Sequence, residues 1–451
     1  MNLSWLYIGY VDLQTEYQQL IDEGRDISSV KAEFIKFFEL NTDSFIEHQE
    51  ELCSFFDRIR NLPFKKDYPY DEPSDLNEIR RLRPQHKSIK IKFFFNKKDL
   101  YNKILGAWLG RCAGCLLGKP VEGWKKRTMW EFLKDLNLYP LTNYFHSNVS
   151  EDIQKKYQLS KEAAFINRVK YMVEDDDINY TVAGLEIVKK YGFNFTPMNV
   201  AEFWLNNLPV LRTCTAERIA YRNICNLIYP PFSATFHNPY REWIGAQIRA
   251  DFFGYVTIGY PQHAAELAWK DASISHIKNG IYGEMWVAAM LAVAPIFKDP
   301  KEIIMLGLSE IPENCRLSEA IKEVIIWYKK GIDYKEVIEK IHKRWDENNN
   351  YHWGHVISNA QIVTMGLLWG EGDFEKSICQ SVEACFDTDC NGATVGSIVG
   401  MMLGAENLPP KWINPLNNKI ETGISGYPLV KISKLARDGF NIYLNSVSAK
   451  K

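Results

Sequence analysis

From about residue 99 to residue 445, apolar side chains recur at the three-to-four spacing of helices, and long alternating runs are scarce. The pattern predicts helices over 101–118, 177–190, 261–271, 280–295, 318–330, 355–369, 375–385 and 392–404. Glycine and proline punctuate these spans without dividing them, which predicts one large all-α unit over 99–451. Residues 1–98 have a different texture and read as a smaller, mainly helical extension. Within it EYQQLIDEG and SVKAEFIKFFELN are amphipathic, and Ser74 before an acidic turn and LNEIRRL marks a helix start. Ile89, Ile91, Phe93 and Phe95 alternate with Lys90 and Lys92, which predicts one short strand.

Two of the helices carry an unusual stripe. Gly106, Gly110, Gly114 and Gly118 recur every four residues, as do Gly392, Gly396, Gly400 and Gly404. Residues four apart share a helix face. Each interior glycine costs about 0.8–1 kcal/mol relative to alanine, so the stripes imply close helix–helix approach. Alone, they would describe buried core helices and nothing more.

Acidic clusters adjoin the stripes. Glu122 continues the first series just past Gly118, and Asp387 and Asp389 stand at the start of the second striped helix. Asp175, Asp176 and Asp177 open a helix whose Ile178, Val182, Leu185 and Val188 share one face. One carboxylate at a helix start is explained by capping and the helix dipole. Three consecutive aspartates repel one another and ask for a cation. Oxygen donors select a hard ion such as Mg²⁺, Mn²⁺ or Ca²⁺, and Cys112 and Cys115 read as a buried thiol pair rather than half of a zinc site.

Composition narrows the classes. Among 451 residues, 54 Lys plus Arg nearly balance 56 Asp plus Glu, for a net charge of −2. That balance gives no basic footprint for nucleic acid or for a membrane surface. No apolar run is long enough for a spanning helix, and the first residues lack a secretory pattern. Nine cysteines, mostly in apolar segments, suit a reducing, cytoplasmic setting.

Five segments, in order, resemble the ADP-ribosylglycohydrolase family: GCLLGKPVE (114–122), EDDDINYTVAGL (174–185), GAQIRAD (245–251), SISHIKNG (273–280) and DTDCNGATVGSIVG (387–400). The resemblance covers roughly residues 100–415 and implies a large orthogonal helical bundle with two Mg²⁺ ions, Mn²⁺ being the alternative. It implies metal ligands at Glu122, Asp175, Asp176, Asp177, Asp387 and Asp389, with Glu122 and Asp389 also catalytic. It further implies substrate contacts at Gly245, Arg249 and His276, with Arg249 facing a pyrophosphate. The implied activity is hydrolysis of the glycosidic bond at the anomeric carbon of ADP-ribose on a protein or other acceptor. Asp175 stands where the family has Thr, Ile178 replaces a second Thr, Cys390 replaces the Thr after the last Asp, and Cys115 stands where Asp is frequent. A thiol is a poor Mg²⁺ ligand, which leaves Cys390 outside the expected set. Hydrolysis of a smaller N-riboside, and non-catalytic ADP-ribose binding, are the competing expectations. Segments 1–95 and 125–170 have no counterpart in the family pattern.

Overall fold

A computed structural model describes residues 4–84, 91, 93 and 95–448. Among these the chain forms 22 α-helices and one two-stranded antiparallel hairpin, Lys419–Glu421 with Leu429–Lys431. The fold is all-α. The predicted helices are present as Lys97–Gly118, Asp176–Tyr191, Pro261–Ala272, Lys278–Val293, Arg316–Lys329, Val356–Gly370, Phe374–Glu383 and Thr388–Leu403. Shorter helices such as Lys126–Asp135 and Thr215–Cys225 come in addition. No helix of the described residues is long and apolar enough to cross a membrane.

The centre of the molecule is an antiparallel pair, Lys97–Gly118 against Thr388–Leu403. A Cβ on Gly106, Gly110, Gly114 or Gly118 would lie 2.4, 2.1, 1.9 or 2.2 Å from the carbonyl oxygens of Gly400, Gly396, Gly392 and Thr388 respectively. Gly392, Gly396 and Gly400 meet the first helix just as closely. The backbones touch, and no side chain fits at these seven glycines. Gly404 departs from the expected stripe: it caps the second helix with φ +82°, and Thr388 makes the fourth contact. Tyr282 and Trp286 are wholly buried core residues.

The segment before residue 84 has its own small core, formed by Leu13, Phe34, Phe37, Leu52, Phe55 and Phe56 among others. Buried charge joins it to the rest. Arg241 pairs with Glu16 (2.5 Å) and Glu23 (2.8 Å), Lys278 with Glu23 (2.9 Å), and Arg316 with Glu72 (2.8 Å) and Glu242 (2.7 Å). Gln19 donates to Glu242 at 2.6 Å. Burial alone would raise the Glu23 carboxyl, but Arg241 and Lys278 outweigh it and hold it down at about 2.

The helix start expected after Ser74 is present, and the expected strand is corrected. The Leu76–Leu82 helix is capped by Asp75, whose carboxylate accepts from the Asn77 and Glu78 N–H groups, whereas the Ser74 hydroxyl accepts from Lys278 N. The predicted strand over 89–95 falls partly outside the described residues. At 91, 93 and 95 the backbone is not in a strand. Phe93 instead plugs against Gly259, where a Cβ would lie 2.0 Å from its ring.

Candidate metal centre

Three helix ends meet at one end of the glycine pair. The Asp176–Tyr191 helix is capped by Asp175, whose carboxylate accepts from Asp177 N at 2.9 Å. The Thr388–Leu403 helix begins at Asp387. The chain reaches Asp387 through two successive left-handed residues, Cys385 (φ +62°) and Phe386 (φ +57°). Each such residue costs roughly 1–2 kcal/mol, strain that the surrounding packing must hold. The Thr388 hydroxyl donates to the Gly118 carbonyl at 2.9 Å, fixing the end of one striped helix to the start of the other. A tight turn, Lys119–Val121, then presents Glu122. Two positive helix N-termini thus point at the acids, which favours carboxylates there.

Asp177 and Asp389 therefore come together, although 212 positions separate them in the chain. Donor atoms of Cys115, Asp175, Asp177 and Asp389 all lie within 4.8 Å of one another, and so do those of Asp387, Asp389 and Cys390. Asp389 belongs to both groups. Its Oδ1 and the Oδ2 of Asp177 are buried without a hydrogen-bond partner, a condition that costs free energy unless a cation satisfies them. Asp176 is half-buried and Glu122 more open, but both feel the same charges. Burial and then the neighbouring acids push Glu122 up to about 7, with Asp387 and Asp175 as the acids concerned. Burial pushes Asp387 up to about 6. Asp176, Asp177 and Asp389 are raised for the same reasons.

Two cations of the chain temper this repulsion, and the sequence reading did not single out either as part of the site. Lys119 Nζ lies 2.5 Å from Asp175 Oδ2. Burial favours the neutral form of Asp175, but the Lys119 ammonium prevails and lowers its pKa. Arg111, fully buried, pairs with Asp177 (2.9 Å) and Asp251 (2.8 Å) and donates to the carbonyls of Asp177 and Ile248. Its signal in the sequence was an arginine inside an otherwise apolar glycine stripe. Lys119 gave no comparable signal.

The other predicted residues gather in a separate buried network. Arg249 is 1% exposed and engages Glu217 (2.7 Å), Asp271 (2.9 Å) and Ser275 (3.0 Å). His276 is fully buried, with Nδ1 2.8 Å from the Ser275 hydroxyl, and burial keeps it neutral. Gly245 backs Glu217, where a Cβ would fall 2.2 Å from the carboxylate. Every nitrogen of the Arg249 guanidinium is thus committed inside the protein, rather than turned toward a pyrophosphate. Tyr180, one turn beyond Asp176, links the two regions: its ring centroid is 5.6 Å from Arg249.

Beside the carboxylates lies a cleft of about 550 Å³, lined by Lys119 and Glu122 and, from the inserted segment, Lys161 and Arg168. Glu122 is therefore the acid of the cluster that faces open space.

Comparison with known proteins gives the family of the chain. A sequence profile described as ADP-ribosylglycohydrolase matches residues 96–442. A solved structure described as an ADP-ribosylglycohydrolase-related protein complex is similar over 77% of this chain and 99% of its own, at 17% identity and a TM-score of 0.48. No curated protein matches the chain.

Proposed function

Because the chain belongs to the ADP-ribosylglycohydrolase family, we propose that it is a metal-dependent hydrolase cleaving the bond between the anomeric carbon of ADP-ribose and an acceptor. The observation that carries this reading is the meeting of Asp177 and Asp389 with bare, buried carboxylate oxygens at the joined helix ends. Six acids stand against one nearby ammonium and one shared guanidinium, so the donor set fits divalent cations. Bound ions of this kind hold ribose hydroxyls and acidify water.

The chain's own groups have distinct parts to play. Glu122, at the cleft, is suited to accept the proton of the attacking water as the anomeric carbon becomes oxocarbenium-like. Asp389, shared by both donor groups, would link the two sets of ligands. Lys119 keeps Asp175 ionised and oriented. An ADP-ribosylated protein is the substrate this reading favours. A smaller N-riboside is the second reading, supported by the enclosure of Arg249.

The test measures ADP-ribose release from a modified protein alongside ribose release from free nucleosides, before and after chelation. Glu122→Gln lowers turnover by about 10²–10⁴-fold, and Asp389→Asn abolishes it. Undiminished turnover in Asp389→Asn removes the metal mechanism, and ribose release alone selects the smaller substrate.

A further inference from the structure

Both donor groups end in sulfur. Cys115 closes the set with Asp175, Asp177 and Asp389, and Cys390 closes the set with Asp387 and Asp389. Cys115 is wholly buried and Cys390 is 5% exposed, so neither is a surface thiol that happens to lie nearby.

We propose that the centre is a mixed carboxylate–thiolate site, with Cys390 and Cys115 as direct sulfur donors, built for a thiophilic divalent ion such as Zn²⁺ rather than for Mg²⁺. The proposal deepens the metal-centre reading and rests on it.

Three observations support it. First, donors at about 2.0–2.3 Å from one ion can be at most about 4–4.6 Å apart, and the donor atoms of each group already lie within 4.8 Å of one another, so a small inward movement brings them onto one ion. Second, Asp175 already satisfies Lys119 with one oxygen and Asp177 N with the other. The first group is thus short of a free oxygen at the point where Cys115 offers a sulfur. Third, buried oxygens of Asp177 and Asp389 have no partner, so free carboxylate donors stand beside the sulfurs for the same ion. Thiolate selects Zn²⁺, Co²⁺ or Fe²⁺ and disfavours Mg²⁺. On binding, each S–H bond breaks, a sulfur–metal bond forms, and the proton leaves to solvent. The strained approach through Cys385 and Phe386 sets the start of the helix that carries both Asp389 and Cys390.

Zn²⁺ outcompetes Mg²⁺ at many sites, so the sulfur itself must be detected. The metal-free full-length chain is loaded with Zn²⁺, and separately with Co²⁺, for X-ray and electronic absorption. The wild type is expected to show a sulfur shell at about 2.3 Å and a near-ultraviolet thiolate-to-cobalt band. Cys390→Ser and Cys115→Ser each remove part of both signals and weaken Zn²⁺ binding at least about tenfold. Asp389→Asn abolishes binding. Zinc held by oxygen alone, or displaced by Mg²⁺ at similar concentration, overturns the sulfur assignment and leaves the carboxylate centre standing. Undiminished metal binding in Asp389→Asn overturns the centre itself. Far-ultraviolet circular dichroism checks folding, and should a serine variant fail to fold, the wild-type sulfur shell decides.

Discussion

Gly114→Ala puts the helix seam to a test in which the sign alone is informative. In an exposed helix interior this change stabilises by about 1 kcal/mol. At Gly114 the new methyl would lie 1.9 Å from the Gly392 carbonyl oxygen and 2.4 Å from its carbon, against ordinary contact beyond 3.4 Å. The carbonyl would have to retreat by about 1.5 Å. It belongs to a helix backbone, so no rotamer change relieves the clash and the two helices must separate. Overpacking costs typically 1–3 kcal/mol, and a backbone collision belongs at the top of that range. The net expectation is a loss of about 2 kcal/mol after the propensity gain. Gly439→Ala in the Ile432–Ser448 helix is the control, because its Cβ would meet the tiltable ring edge of Phe252 at 3.2 Å. Urea unfolding of both variants, with and without divalent ion, measures the difference. Separation of the helices also displaces Cys115 from Asp389, so metal affinity falls together with stability. A Gly114→Ala protein as stable as the Gly439→Ala control would refute the seam.

Two further outcomes follow from the charges. Asp387 is raised from 3.8 to about 6 and Glu122 from 4.5 to about 7. The folded, metal-free chain therefore binds more protons than the unfolded chain between about pH 4 and 7, and its stability falls as pH rises through that window. The Asp387 part is roughly 2–3 kcal/mol. Thermal melts with chelator should decline from pH 5 to pH 8, and saturating metal should flatten the decline; a rise with pH would contradict it. Lys119→Met removes the ammonium beside Asp175 and lowers metal-free stability by about 2–3 kcal/mol, less than for a fully buried pair because Lys119 is partly solvated. It also frees an Asp175 oxygen, so titration calorimetry should find tighter divalent binding, and weaker binding would show that Lys119 supports the ion rather than competing with it.

The parts legible in the sequence were those whose signal is local and periodic. A four-residue glycine series announces a seam whatever it packs against, and consecutive aspartates at a helix start announce unbalanced charge. The pairing of the two stripes followed no such rule, but both ended in acids and so pointed to one place. Lys119 and Arg111 were not tied to the site because their partners lie 56 and 66 residues away. Arg249 and His276 were read as facing substrate because a motif carries residue identity and not burial. The Lys126–Asp135 helix does place Met129, Phe132 and Leu133 inward, but ten residues between loops give too short a period to stand out. The alternation over 89–95 misled because lysines spaced by two suggest a strand face, whereas Phe93 and Phe95 serve as individual plugs in a helical core.

The ion pairs between the first 84 residues and the body of the protein have a consequence for its relatives. Arg241 and Lys278 are placed to be neutralised by Glu16 and Glu23, whereas Arg316 also has Glu242 of the body. A protein lacking this leading segment could not keep Arg241 and Lys278 without new counter-ions. These two positions should therefore vary together across the family, gained or lost along with the segment, and they offer a two-residue marker for tracing when the two parts began to be inherited as one.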